Sequence, residues 1–527
     1  MSSLNDVRLR EQPLETDNFR KPVFRSSCLF PLYEENGIHS RITFLSYWLL
    51  RSIKEVAIVL TIRDANGELA YRSHLLIDEP RVFVFDVREL LAESGKDVPR
   101  RGSIEMEVFT SRDLVFPFPA VVVNYYGDQF STYVHTTERT FNDAEDAVSS
   151  LGVAASGIEA GFNIYGDSDR NPFISVVNGS ESYDESEIEL IVSSMSGVTA
   201  SHRLKIGSLH PYQSVTIQPG DYFDLATLLG DSPGTMSIKH NLKGVFPRLI
   251  VGNQQPSLNG LSITHTIYDM SNWRADSDYW PKPGDEWLNA SRMLPIFSDS
   301  GMYTKLYFYP VLSPCKLDVD CELFSASGKL LGTVPGAGHI DSPDGNMGYI
   351  DFREIADNLG VARQDVAGSR ISLRPVNGGQ VPSRVSMGLD IGYDDKPGRL
   401  PTNVSFAMQV PIPTREERGS SFRWGPVMAD NSSAIVHLSN ASVLKNTRQA
   451  ANVKLKVYRA KDSQLLEREL TIPPNGSHVL DASEGTELHD FLQGSVGWYT
   501  ATADTANLDT WYLARHQSGI VGGDHGF

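Results

Sequence analysis

The chain has 527 residues, with 47 basic and 65 acidic side chains and a formal charge of −18. A surface of that sign repels phosphate backbones and anionic lipid, and no run of lysine and arginine offsets it, which argues against a nucleic-acid partner. The longest early apolar run, Thr43 to Leu50, is too short to cross a bilayer, and the stretch up to Arg25 carries charges where a secretory signal would be apolar. The expectation is therefore no membrane insertion, and a cytoplasmic chain by default or one exported without a signal peptide.

Residues 1–21 are polar and read as a flexible N-terminal segment. The first module, 22–142, opens with Val56, Ile58, Leu60 and Ile62 on one face of a strand. A turn follows at Asp64 to Gly67, then a returning strand from Leu69 to Ile77 and the signature Phe85-Asp86-Val87-Arg88-Glu89-Leu90-Leu91. It closes on Tyr133-Val134-His135. The second module, 155–272, repeats the pattern: Ile188, Leu190 and Val192, a turn at Ser196-Gly197, then Phe223-Asp224-Leu225 and a last strand through Ile263-Thr264-His265.

Between the second and third modules lie Trp273, Tyr279, Trp280 and Trp287, interleaved with Asp276, Asp278 and Asp285. The third module, 287–414, runs Leu317, Val319 and Cys321 into Ser327-Gly328, then Ile350-Asp351-Phe352-Arg353-Glu354, and has Phe406-Ala407-Met408-Gln409 where its neighbours carry histidine. The fourth, 420–527, runs Val453, Leu455 and Val457, then Leu480-Asp481-Ala482-Ser483-Glu484, with Tyr512 to His516 taken as its last strand and a tail Gly522-Gly523-Asp524-His525-Gly526-Phe527.

The four aspartates, at positions 86, 224, 351 and 481, are 138, 127 and 130 residues apart, so one unit is repeated about four times. Period-two apolar spacing puts one face of each strand in a core, which predicts an all-β chain of about four tandem antiparallel β-sandwich modules, each with a short capped helical turn. The general look is similar to immunoglobulin-like or fibronectin-like arrays, although the Cys and Trp spacing of true immunoglobulin domains is absent.

An aspartate between an apolar strand residue and a Leu-rich turn reads as a helix N-cap, so Asp86, Asp224, Asp351 and Asp481 are expected to be structural. The linker rings of Trp273, Tyr279, Trp280 and Trp287 either pack the junction or stack on a sugar. Calcium at the junction carboxylates is one cofactor alternative to none at all. Zinc or iron is the other, at His135, His265, His516, Asp524 and His525. Histidines at equivalent positions in successive modules meet at a metal only if the modules circle a common axis; in a linear array they stay tens of ångströms apart.

Three cysteines, Cys28, Cys315 and Cys321, make no disulfide framework. No H-E-x-x-H, G-x-S-x-G or P-loop motif occurs. The leading expectation is a non-catalytic protein that presents a binding or assembly surface to a protein or glycan partner, in a cell-envelope or polysaccharide setting, or as a homo-oligomer joined through sheet edges. The alternative is a carbohydrate-active or metal-assisted enzyme with its site at a module junction or near the C-terminal His and Asp residues.

Overall fold

The computed structural model describes residues 24–50, 55–95, 98–110, 121–135, 138–141, 158–242, 249–266, 289–298, 301–309, 316–340, 347–376, 384–409, 419–443 and 448–526. The chain is all-β and antiparallel, and the same eight-stranded sandwich recurs four times. In the first module the strands are Phe24–Tyr33, His39–Leu45, Val56–Asp64, Leu69–Ile77, Val82–Asp86, Arg101–Thr110, Val121–Gly127 and Phe130–His135. Sets of eight between Ile158 and His265, Ser291 and Gln409, and Ser421 and His525 follow it.

In every module one sheet has the order fourth, third, sixth, first, and the other the order fifth, second, seventh, eighth. The first module adds a short strand, Glu138–Phe141, to the edge of its first sheet, and in the third the two sheets touch through one pairing of Ser291 with Gln409. The alternation seen in the sequence has its physical cause here. Val56, Ile58, Leu60 and Ile62 face the core, as do Ile188, Leu190 and Val192, then Leu317, Val319, Cys321 and Leu323, and finally Val453, Leu455 and Val457.

A short helix carries the chain from the fifth strand in one sheet to the sixth in the other: Val87–Ser94, Leu225–Leu229, Phe352–Asn358 and Glu487–Leu492. Asp86 and Asp351 accept from the backbone N–H two residues on, and Asp224 from that of Thr227, so three of the repeated aspartates sit at helix N-termini. Asp481 does not. In the fourth module the helix starts later and Thr486 is its N-cap, accepting from His489 N–H, while Asp481 holds Ser483 and the Arg515 guanidinium.

The modules are not strung out. The turn after the third strand of module one docks on module two, where Ser214 N–H donates to Ala65 O at 3.0 Å; module three docks on module four in the same way, Ser477 N–H to Ala326 O at 3.0 Å. Gly67 and Gly328 take positive φ at this contact, and a Cβ on either would lie 2.2 Å from the carbonyl oxygen of Pro211 or Pro474. The chain is thus two copies of a module pair. Asp390, bonded by Tyr165 and Asn403, and the Gln255 amide on Gly398 O join modules two and three. Arg41 on Asp430 and Tyr47 stacked over Trp424 join modules four and one, closing a ring.

Candidate metal centre

The eighth strands, Phe130–His135, Gly260–His265, Val404–Gln409 and Val521–His525, line the middle of this ring. Each touches its neighbours by hydrogen bonds. Ser405 N–H donates to Thr264 Oγ at 3.2 Å and Ser262 Oγ to Pro401 O at 3.0 Å, tying module two to three. Val521 N–H donates to Leu400 O at 3.1 Å, tying four to three. Modules one and four approach backbone to backbone: a Cβ on Gly522 would stand 2.1 Å from Ser131 O and 2.5 Å from Thr132 Cα. That approach explains Gly522 in a strand, where glycine is otherwise unfavourable, while a Cβ on the next residue, Gly523, would meet the Leu513 side chain at 2.5 Å.

The last residues of these strands are His135, His265, Gln409 and His525. Three of the four are histidines, and with Asp524 they form one cluster whose ligand atoms all lie within 4.8 Å of one another. His135 Nε2 and His265 Nε2 face each other at 2.9 Å. The Nδ1 of His265 faces Thr266 O at 3.1 Å, and that of His135 faces Asp524 Oδ2 at 2.6 Å. Asp524 also accepts the backbone N–H groups of His135, at 3.2 Å, and His525, at 2.8 Å. The His525 ring centre is 4.7 Å from that of His135.

His135, His265 and Asp524 are only 1 to 3% exposed; His525 is partly buried. Burial raises the Asp524 carboxyl above the ordinary carboxylate value and pulls His525 down to about 3, with the neighbouring His135 adding to the second effect.

His516, expected to belong to this group, does not reach it. It lies just after the seventh strand, Leu508–Arg515, in the turn to the eighth, where its Nδ1 accepts from Ser518 N–H and its backbone N–H donates to Ile520 O. Tyr512 to His516 is therefore not the last strand, and the histidine equivalent to His135 and His265 is His525. Trp273, Asp276, Asp278, Tyr279, Trp280, Asp285, Trp287 and Cys315 lie outside the described residues. Cys28 and Cys321 are buried thiols, Cys28 against Met106 O and Cys321 against Ser369 Oγ, and burial pushes Cys321 up to about 12.

Away from the centre, an open cleft of about 570 Å³ in module two is lined by Asp167, Arg170, Asp221 and Asp224. Two of its three acids are already engaged, Asp167 with Arg170 and Asp224 at its helix cap. No helix among the described residues is long and apolar enough to cross a membrane.

No protein-family model matches the chain, and no curated protein does. Among solved structures, the biofilm-associated protein BSP domain aligns over 96% of both chains at 9% identity, with a TM-score of 0.15. A glycosyl hydrolase family 2 member from Bacteroides cellulosilyticus aligns over 95% of this chain and 92% of its own at 7% identity and a TM-score of 0.12. A calcium-binding mutant of Bacteroides uniformis beta-glucuronidase 2 aligns over 48% of this chain at 8% identity and a TM-score of 0.12, and only 27% of its own length is spanned. Likeness at that level carries no functional inference.

Proposed function

We propose that the chain is a non-catalytic scaffold, a ring of β-sandwich modules that presents outward sheet edges as a binding or assembly surface. The observation that carries this reading is a repeated one. The fourth strand of each module stands at the edge of its sheet, and each turn into it places a large apolar side chain in solvent: Leu69, Val198, Leu330 and Leu465. Leu76, further along the first of these strands, is 72% exposed. An open edge with apolar outward side chains is a template for strand addition by another chain.

The first partner to test is a second copy of this chain, with an extended peptide or a glycan as the other binding arms. The metal-assisted enzyme reading is weaker. A catalytic metal keeps an open position that substrate reaches, whereas three of the four clustered side chains are closed off by neighbouring modules. Sedimentation velocity over a rising concentration series tests the proposal: the wild type should self-associate, and Leu76→Lys with Leu465→Lys should remain monomeric without loss of folding. A wild type that stays monomeric and binds neither peptide nor glycan would contradict it. So would polysaccharide hydrolysis that disappears in His265→Ala.

A further inference from the structure

We infer that His135, His265 and His525, with Asp524, form a structural binding site for a divalent transition-metal ion of the zinc type, which clamps modules one, two and four at the centre of the ring. The inference stands apart from the scaffold reading, and either can fail alone.

The first step is proton accounting. A carbonyl oxygen only accepts, so the His265 Nδ1 facing Thr266 O carries hydrogen. Asp524 Oδ2 takes the His135 backbone N–H as well as the ring, and Oδ1 takes that of His525, so this carboxylate is an acceptor and the His135 Nδ1 also carries hydrogen. A neutral imidazole has one N–H. With both Nδ1 atoms carrying hydrogen, the two Nε2 atoms face each other across 2.9 Å, an arrangement that a cation between them, metal ion or proton, would satisfy.

A shared proton satisfies two nitrogens. Here a third histidine and a carboxylate join them, and all the ligand atoms lie within 4.8 Å of one another, more donors than a proton uses and enough to hold a metal ion. Imidazole-rich, oxygen-assisted sites suit zinc and its neighbours in the transition series. In a tetrahedral site with metal–nitrogen distances of about 2.0 to 2.1 Å the nitrogens stand about 3.3 Å apart, so the two rings need to separate by only a few tenths of an ångström. Asp524 on the His135 Nδ1–H is the outer carboxylate that fixes the orientation of a metal-bound histidine, and it lies close enough to complete the set. His525 is the least buried of the four.

The ligands come from three modules, with His265 130 residues and Asp524 389 residues from His135 along the chain. A bond across such separations restrains the unfolded chain more than a local one does. Ion binding should therefore hold the ring together instead of serving turnover.

The test uses the full-length chain, dialysed against zinc and then against metal-free buffer. Elemental analysis should find one zinc per chain, cobalt should substitute with the intense visible absorption of four-coordinate cobalt, and thermal melting should shift upward with metal concentration. His516→Ala should keep the ion, while the double variant His265→Ala with His525→Ala should lose it. The inference is overturned if the folded wild type retains no zinc or cobalt, which would leave a metal-free histidine pair sharing a proton. It is also overturned if the double variant binds as much as the wild type. Because the wild-type measurements do not depend on any variant folding, the outcome is decided either way.

Discussion

Two features of this chain recur with the module, and they have opposite fates. The capping aspartates sit at the helices that join the two sheets, and Asp86, Asp224 and Asp351 each act within their own module, on the helix that follows and, for Asp86 and Asp351, on Tyr126 and Lys305 as well. The histidines ending the eighth strands sit on the inner edge, where His135, His265 and His525 converge on one point. Copy number alone does not separate the two roles. Distance from the axis of the ring does: a residue repeated far from it acts once per module, whereas one repeated close to it acts once per molecule.

The largest effect expected from breaking this contrast is at the centre. Gly522→Val places carbon atoms on the backbone of module one, 2.1 Å from Ser131 O at the Cβ, and should cost more than about 3 kcal/mol and separate modules one and four. Calorimetry should show one melting transition for the wild type and two for the variant. Next comes Asp351→Ala. This carboxylate is buried, caps its helix and holds Arg353 and Lys305, so its loss should cost about 3 kcal/mol, above a simple cap. Denaturant titration measures it.

Asp390, at the junction of modules two and three, sharpens the comparison through pH. Burial among Tyr165, Tyr303, Tyr307 and Tyr309 raises it to about 6, against the pull of Asn403, Asn163, Tyr165 and Lys305. The folded chain then binds this proton where the unfolded chain has released it, so stability falls as pH rises from about 4 to about 6 and stays lower above. Asp390→Asn should recover about 2 kcal/mol at neutral pH and flatten the profile in that window. Stability unchanged by the substitution would remove the junction's pH dependence from the account.

The smallest effect belongs to the cap that acts within one module. Asp86→Ala should cost about 1 kcal/mol and leave any bound metal in place. Should it release metal, the division between outer caps and inner histidines would not hold.

The alternation of Val56 to Ile62 and its three counterparts made the sandwich strands readable, because a half-buried strand leaves a period of two in the sequence. Ring closure left no such mark. It depends on contacts such as Tyr47 with Trp424 and Arg41 with Asp430, between residues that no local pattern connects. The last strand is hidden for a physical reason: Gly522, needed for backbone approach, and Gly523, packed against Leu513, lack the β-branched side chains that signal a strand, so Tyr512 to His516 reads as the last strand instead. Asp481 misled in a similar way. Its surroundings resemble the other signatures, but the chain from Ala482 to Gly485 delays the helix until Thr486.

Small-angle X-ray scattering of the full-length chain tests the closed ring most directly. A compact chain of this length has a radius of gyration of about 24 Å, and the account predicts a value close to that. An elongated profile with roughly twice that radius, as four sandwiches laid end to end would give, would mean that the histidines never meet.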